Sequence, residues 1–232
     1  MFDTALLALD LSPAEEPLLG CMIDLARWGV RRVVVVHIVR VGYGQGPGYR
    51  ALEDTTDWLQ RAAAPLRAAG LAVEVSVRQA GVPTDEILVA ASEHGADLIV
   101  VGSRSHNLVR RVFLGSVARA LVHKTPRPLL LVPIEPDADA TAERCRLVCR
   151  DTLRHPLVAT DLSRHAGAAE RAAVALAPHA PRIDCLSVVT PAAADATPAL
   201  PLMTRAALDA LVQRIAEAGG SAEALVSEAE DP

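Results

Sequence analysis

Through the first 135 residues of this chain, short apolar runs alternate strictly with longer amphipathic stretches, giving the order βαβαβαβαβ. That alternation constrains the fold more than any single motif, because strands separated by helix-length segments pair in parallel through crossover connections. Thr4–Leu9 has no polar alternation, and Val33–Val39 is β-branched almost throughout, as strands buried on both faces should be. Ala72–Arg78, Asp97–Val101 and Pro128–Pro133 complete the set. Between them, Ser12-Pro13-Ala14-Glu15 starts a helix running to about Gly29. A glycine-rich loop, Gly42–Gly48, precedes a helix from about Arg50 to Ala69 that ends at Gly70. A third helix follows Gly81-Val82-Pro83-Thr84-Asp85-Glu86 and runs to Gly95, and a fourth opens at Gly115-Ser116 and reaches Lys124. The expected fold is α/β: a doubly wound, five-stranded parallel sheet in strand order 3-2-1-4-5, with helices on both faces.

The remainder of the chain repeats the beginning at a spacing near 150 residues. Asp161 and Ser163 fall on Asp10 and Ser12, Arg182-Ile183 on Arg32-Val33, Gly219 on Gly70 and Glu223 on Glu74. The expected organisation is a complete domain over 1–134, a linker over 135–155 rich in Asp, Ala and Arg, and a partial second copy of β-α-β-α-β form over 156–232. In that register the chain stops at the counterpart of Gly81-Val82-Pro83, so the copy ends before its third helix.

Composition removes several functions. Net charge is −5, Lys124 is the single lysine among 23 basic residues, and Phe, Trp and Tyr occur twice each. A nucleic-acid binder needs a basic surface and, for single strands, aromatic stacking platforms, so nucleic acid is not expected as a partner. The acidic start Met1-Phe2-Asp3 and the lack of an 18-residue apolar run argue against a secretory signal or a membrane span, and the expected location is cytoplasmic. The scattered cysteines Cys21, Cys145, Cys149 and Cys185 are expected to be reduced thiols. Cys145-x-x-x-Cys149 near His155 lacks the second ligand pair of a zinc site, so no metal is expected. There is no nucleophile elbow and no G-x-x-x-x-G-K-[ST] loop, and a dedicated enzyme is not expected.

A doubly wound sheet binds ligands where its winding reverses, between strands one and four. Asp10 follows strand one, and Gly102-Ser103-Arg104-Ser105-His106-Asn107 follows strand four, so both face one crevice. Gly115-Ser116-Val117-Ala118 then forms a first helical turn whose free amides and positive dipole end suit an anion. Arg104, His106, Arg110 and Arg111 either neutralise phosphates or form a solvated basic loop. His37 lies inside a buried strand and reads as a hydrogen-bonded core residue, while His123 and Lys124 suit a helix C-terminus.

The spacing Gly102-x-x-Ser105-(nine residues)-Gly115-Ser116, with Ala96–Val101 before it and Pro126-Arg127-Pro128–Pro133 after it, resembles the universal stress protein family. The resemblance covers residues 4–134, including His37-Ile38 and Gly81–Leu88, and residues 156–232 resemble the first half of a second such domain. It implies ATP or a related adenine nucleotide at the switch point. Carried onto this sequence, Asp10 meets the ribose, Ala8 and Ile38 line the adenine pocket beside Val101, and Gly102, Ser105, Gly115, Ser116 and Val117 surround the phosphates. Ser105 stands where the ATP-binding pattern has glycine, and a positive φ there would cost a serine about 1 kcal/mol or more.

Three functions follow in order: a nucleotide-binding regulatory protein with unidentified protein partners, an interaction or dimerisation module with an empty crevice, and a slow ATP hydrolase. The apolar strand at 128–133 lies at the end of the expected strand order. Family resemblance implies that such strands pair between two domains; with no strand five in the second copy, the expected partner is the same strand of another chain, giving a homodimer.

Overall fold

A computed structural model of the 232-residue chain describes residues 2–11, 15–40, 49–103, 114–136, 145–147 and 153–229. The chain forms two compact units, one of residues 2–150 and one of residues 151–232.

The first unit opens with β1 (Thr4–Leu9), α1 (Glu15–Leu25) and a 3₁₀ turn at Ala26–Trp28 that Gly29 closes at φ 93°. It continues with β2 (Arg32–Arg40), α2 (Tyr49–Ala62), α3 (Ala64–Ala68), β3 (Ala72–Ala80), α4 (Pro83–Glu93), β4 (Leu98–Gly102), α5 (Ser116–Lys124) and β5 (Leu129–Val132). Five parallel strands pair in the order β3-β2-β1-β4-β5. This is the expected doubly wound sheet.

Strand alternation divides the core in two. Leu6, Val34, Val36, Ile99 and Val101 share one face and pack with Ile87, Ala90 and Ala91 of α4 and Ala118 and Leu121 of α5. Leu7, Val35 and Val100, one residue out of phase, point to the opposite face and are also fully buried, as are Met22, Leu59 and Leu66 of the helices that follow β1 and β2. Removing a residue such as Leu6 or Ile99 from this packing costs about 2–5 kcal/mol in comparable cores.

Two differences from the sequence reading have local causes. The helix expected over 50–69 is divided, because Pro65 has no N–H to donate; α2 stops at Ala62, and α3 begins with the proline in its first turn. The stretch expected to be only a linker contains β6 (Ile134–Pro136), antiparallel to β7 (Cys145–Leu147) in a separate two-stranded ribbon. β7 packs against α1.

The cysteine expectation is also corrected, because Cys21 on α1 is disulfide-bonded while Cys185 is free and buried.

The second unit contains β8 (Leu157–Ala159), α6 (Gly167–Leu176), β9 (Ile183–Val189), α7 (Pro191–Ala196), α8 (Leu200–Glu217) and β10 (Ala222–Glu228). Its parallel strands lie in the order β10-β9-β8, over a core built on Ile183, Leu208, Leu211 and Ile215. The two units share strand register. Leu7 opposes Val35 and Val33 opposes Val73 in the first; Val158 opposes Cys185 and Ile183 opposes Ala222 in the second. Backbone exceptions recur too: Leu11 and Leu162 adopt φ 56° and 59°, and Gly70 and Gly219 adopt 89° and 91°. Leu162 N–H donates to Thr160 Oγ1 at 2.9 Å, and Ser163 N–H to Asp161 Oδ1 at 2.9 Å, which ties the turn after β8.

Candidate functional site at the sheet switch point

At the carboxyl ends of β1, β2 and β4, against the first turns of α4 and α5, lies a cavity of about 230 Å³. Its position follows from topology: crossovers leave β1 toward one side and β4 toward the other, so the two strand ends part there. Ala8 and Asp10 of the β1 end and Ile38 and Arg40 of β2 line it, each pair spaced by two so that both members project to one face. Val101 and Gly102 come from β4, Gly115, Ser116, Val117 and Ala118 from α5, and Pro83 and Ile87 from α4. The cavity therefore gathers Ala8, Asp10, Ile38, Val101, Gly102, Gly115, Ser116 and Val117, which are distant in sequence. Ser105, the remaining candidate, lies outside the described residues, as do Ser12, Arg104, His106, Arg110, Arg111 and the Gly42–Gly48 loop.

One end of the cavity suits an anion. Gly115 is the N-cap of α5 at φ −56° and ψ 153°, with no side chain capping the turn. The amides of Ser116, Val117 and Ala118 fall in the first helical turn, where an α-helix supplies no carbonyl partner, and they lie at the positive end of the helix dipole. Two backbone bonds fix this turn against the sheet: Gly115 N–H donates to Ser103 O at 2.9 Å, and Ser103 N–H donates to Val132 O at 2.9 Å. The base of the segment between Ser103 and Gly115 is thereby closed.

The other end is apolar with a polar rim. Ile38, Ile87 and Pro83 offer flat aliphatic surface, Asp10 is exposed at the mouth, and Arg40 is exposed at the end of β2. His37, buried in β2, has Nδ1 2.9 Å from Leu9 O. A carbonyl only accepts, so Nδ1 carries the hydrogen and the ring holds the β1 and β2 ends together, as its buried position suggested. The sequence reading missed Leu18, Arg40 and Leu9 as lining residues. No motif marks them, whereas Pro83 and Ile87 lay within the Gly81–Leu88 stretch.

The α4 wall is held by ion pairs from outside the cavity. Arg78 of β3 reaches Glu86 at 2.5 Å and Glu93 at 2.6 Å, and Lys124 at the end of α5 reaches Asp85 at 2.7 Å. Hydrogen bonding to Glu93 raises the Arg78 guanidinium further above its already high value, and the same bond lowers the Glu93 carboxyl. Among the described residues no group of His, Cys, Asp and Glu is arranged to hold a metal, and no helix is long and apolar enough to cross a membrane.

A five-stranded 3-2-1-4-5 sheet with a cavity at its switch point defines a protein of the doubly wound α/β class. Residues 1–133 match the model of the universal stress protein family, and the chain belongs to that family. It is 34% identical over 140 residues to a Thermus aquaticus universal stress protein, a match covering 57% of this chain and 99% of that protein. A Mycolicibacterium smegmatis universal stress protein is 37% identical over 71 residues, which span 26% of this chain and 55% of the relative. Among solved structures, a universal stress protein from Archaeoglobus fulgidus superposes with a TM-score of 0.66 at 20% identity, covering 98% of this chain and 77% of its own. That likeness extends the fold correspondence through the second unit.

Proposed function

We propose that this chain is a regulatory protein that binds an adenine nucleotide, ATP in the first instance, in the switch-point cavity of its first domain, residues 1–134. One observation carries the reading: eight residues singled out by motif, from four separated stretches of sequence, line a single cavity that ends on the uncapped first turn of α5. The arrangement matches the parts of a nucleotide. Ser116–Ala118 amides take phosphate oxygens, the Asp10 carboxylate accepts from ribose hydroxyls, and Ala8, Ile38 and Val101 pack on the base. Bound nucleotide alters the surface that a protein partner reads.

Calorimetric titration of the purified chain with ATP tests this. Saturable binding of one nucleotide per chain is expected, because the described residues of the second unit contain no counterpart of the Gly102 and Gly115–Val117 cradle. Absence of binding at millimolar ATP overturns the reading, and two nucleotides per chain overturns the assignment to the first domain. Gly115→Val should abolish binding with the fold intact by circular dichroism, since a β-branched side chain would occupy the approach to the α5 amides.

The dimer belongs to the same proposal. β5 ends the sheet order, and its far edge offers backbone donors and acceptors to a second chain. Residues 156–232, as a partial second repeat after the 135–155 linker, complete the proposed organisation.

A further inference from the structure

We propose that the outer face of α8 is a self-association surface, on which a second copy of this chain docks helix against helix about a two-fold axis. Leu202 and Met203, in the first turn, are 76% and 63% exposed, the two most exposed large apolar side chains among the described residues. Ala199, Ala206 and Ala210 are exposed as well, and at 3.6 residues per turn all five fall within one stripe about 100° wide. On the opposite side of the helix, Leu208, Leu211 and Ile215 are buried in the core of their own unit. Over its first three turns α8 is therefore apolar on two opposite sides, whereas a surface helix ordinarily turns a polar side outward.

The repeat within the chain supplies the control. Gly219 corresponds to Gly70, and that register carries α8 onto α2 and α3, with Leu208 on Leu59 and Ile215 on Leu66, all four fully buried. On the outer face the two helices part. Leu202, Met203, Ala206 and Ala210 fall on Glu53, Asp54, Asp57 and Arg61, which are exposed and charged. The fold thus accepts a solvated face at this position, and the apolar stripe of α8 is not needed to build the unit. A contiguous exposed apolar patch that the fold does not need marks an interaction surface.

The stripe is shaped to fit itself. Leu202, Ala206 and Ala210 form one i, i+4, i+8 row, large at one end and small at the other. A two-fold axis at Ala206 lays Leu202 of each copy against Ala210 of the other and brings Met203 opposite Asp209, beside that alanine. Alanine at the crossing lets the helix axes approach to about 8 Å. Beside the stripe, Arg205 and Asp209 pair with each other at 3.0 Å, so the rim holds no net charge to repel a second copy or to select an acidic or basic partner. One helix pair buries less than the roughly 1,200–2,000 Å² of a stable complex, so the contact is weak and driven by concentration. It uses neither the nucleotide cavity nor the edge of β5.

Sedimentation of the full chain gives the first readout. Between tens of micromolar and about 1 mM its weight-average mass should rise about 1.5-fold or more, as a dissociation constant of ~0.5 mM gives. Leu202→Glu, which installs the charge that α2 carries at this place, should hold the mass at its low-concentration value with helical dichroism retained. Methyl spectra give the second readout, because the chain has only three methionines to label with carbon-13. The Met203 resonance should shift over the same range, while that of Met22, fully buried on α1, stays in place. Ala210→Arg lies seven positions, about 10 Å, from Met203 on its own helix, yet should abolish the Met203 shift, since the contact comes from the other copy. A mass constant up to 1 mM overturns the proposal and leaves the stripe to a different protein. A mass rise that persists in Leu202→Glu, or a Met203 shift that persists in Ala210→Arg, overturns it too. None of these readouts depends on nucleotide binding.

Discussion

Leu11 and Leu162 hold the same left-handed backbone conformation at matching places in the two units, each just after the acidic residue that follows the first strand of its copy. A side chain with a branched Cβ is poorly tolerated there, because its methyl groups crowd the carbonyl. Leu11 is 42% exposed, so Leu11→Ile tests the backbone with little change in burial. It should lose about 1 kcal/mol or more, read as a lower urea midpoint with an unchanged slope. Gly220 makes the complementary case through space: a Cβ built on it would sit 2.8 Å from Ala177 Cβ and 3.1 Å from the Ala177 backbone. Gly220→Ala should therefore destabilise the second unit by about 1–3 kcal/mol, seen by thermal unfolding. Neither requirement was legible in the sequence, since a leucine carries no sign of its φ and a glycine none of what lies against it.

At the scale of elements, α4 is the cavity wall most dependent on charge, through the Arg78 bridge to Glu86 and Glu93. The Glu93 carboxyl is held below its ordinary value mainly by the Arg78 hydrogen bond, so it favours the folded state where it is ionised. That contribution is present above the unfolded carboxylate value near ~4 and is lost as pH falls through the lower folded value. Urea midpoints measured from pH 7 down to pH 3 should fall on the acid side, and Arg78→Met should flatten that fall; equal slopes would remove the bridge from the account. Strands and helices of the first unit were readable because their periodicities are long and unbroken, from the valine run of β2 to the glycine stop at Gly70. The ribbon was not, because three-residue strands carry no period. The split between α2 and α3 was signalled only by Pro65. The cavity was legible where a motif marked it, at Gly102 and Gly115–Val117, and illegible at Arg40 and Leu18, which only the fold brings in.

For the whole molecule, the proposed dimer and the open edge of β5 make one statement. Leu129–Leu131 of β5 are half-buried, with β4 as their strand partner and, among the described residues, no strand on the opposite edge. Light scattering at tens of micromolar should report a dimer. Ile99 N–H donates to Pro128 O and Ser103 N–H to Val132 O, so the even-numbered residues face β4 and the Leu131 N–H faces the far edge; Leu131→Pro should therefore convert the dimer to a monomer with far-ultraviolet dichroism largely retained. A monomer for the unaltered chain would refute pairing through 128–133.

The bond from His37 to Leu9 gives the protein a built-in spectroscopic reporter. With Nδ1 donating, a ring that carries one proton is held as one tautomer and leaves a lone pair on Nε2, in a residue at the edge of the cavity. Nitrogen-15 chemical shifts of the two ring nitrogens should therefore be far apart in the empty protein. A ligand entering the cavity should move the Nε2 resonance while the Nδ1 resonance stays in place, so occupancy becomes measurable residue by residue without attaching a dye or altering the chain.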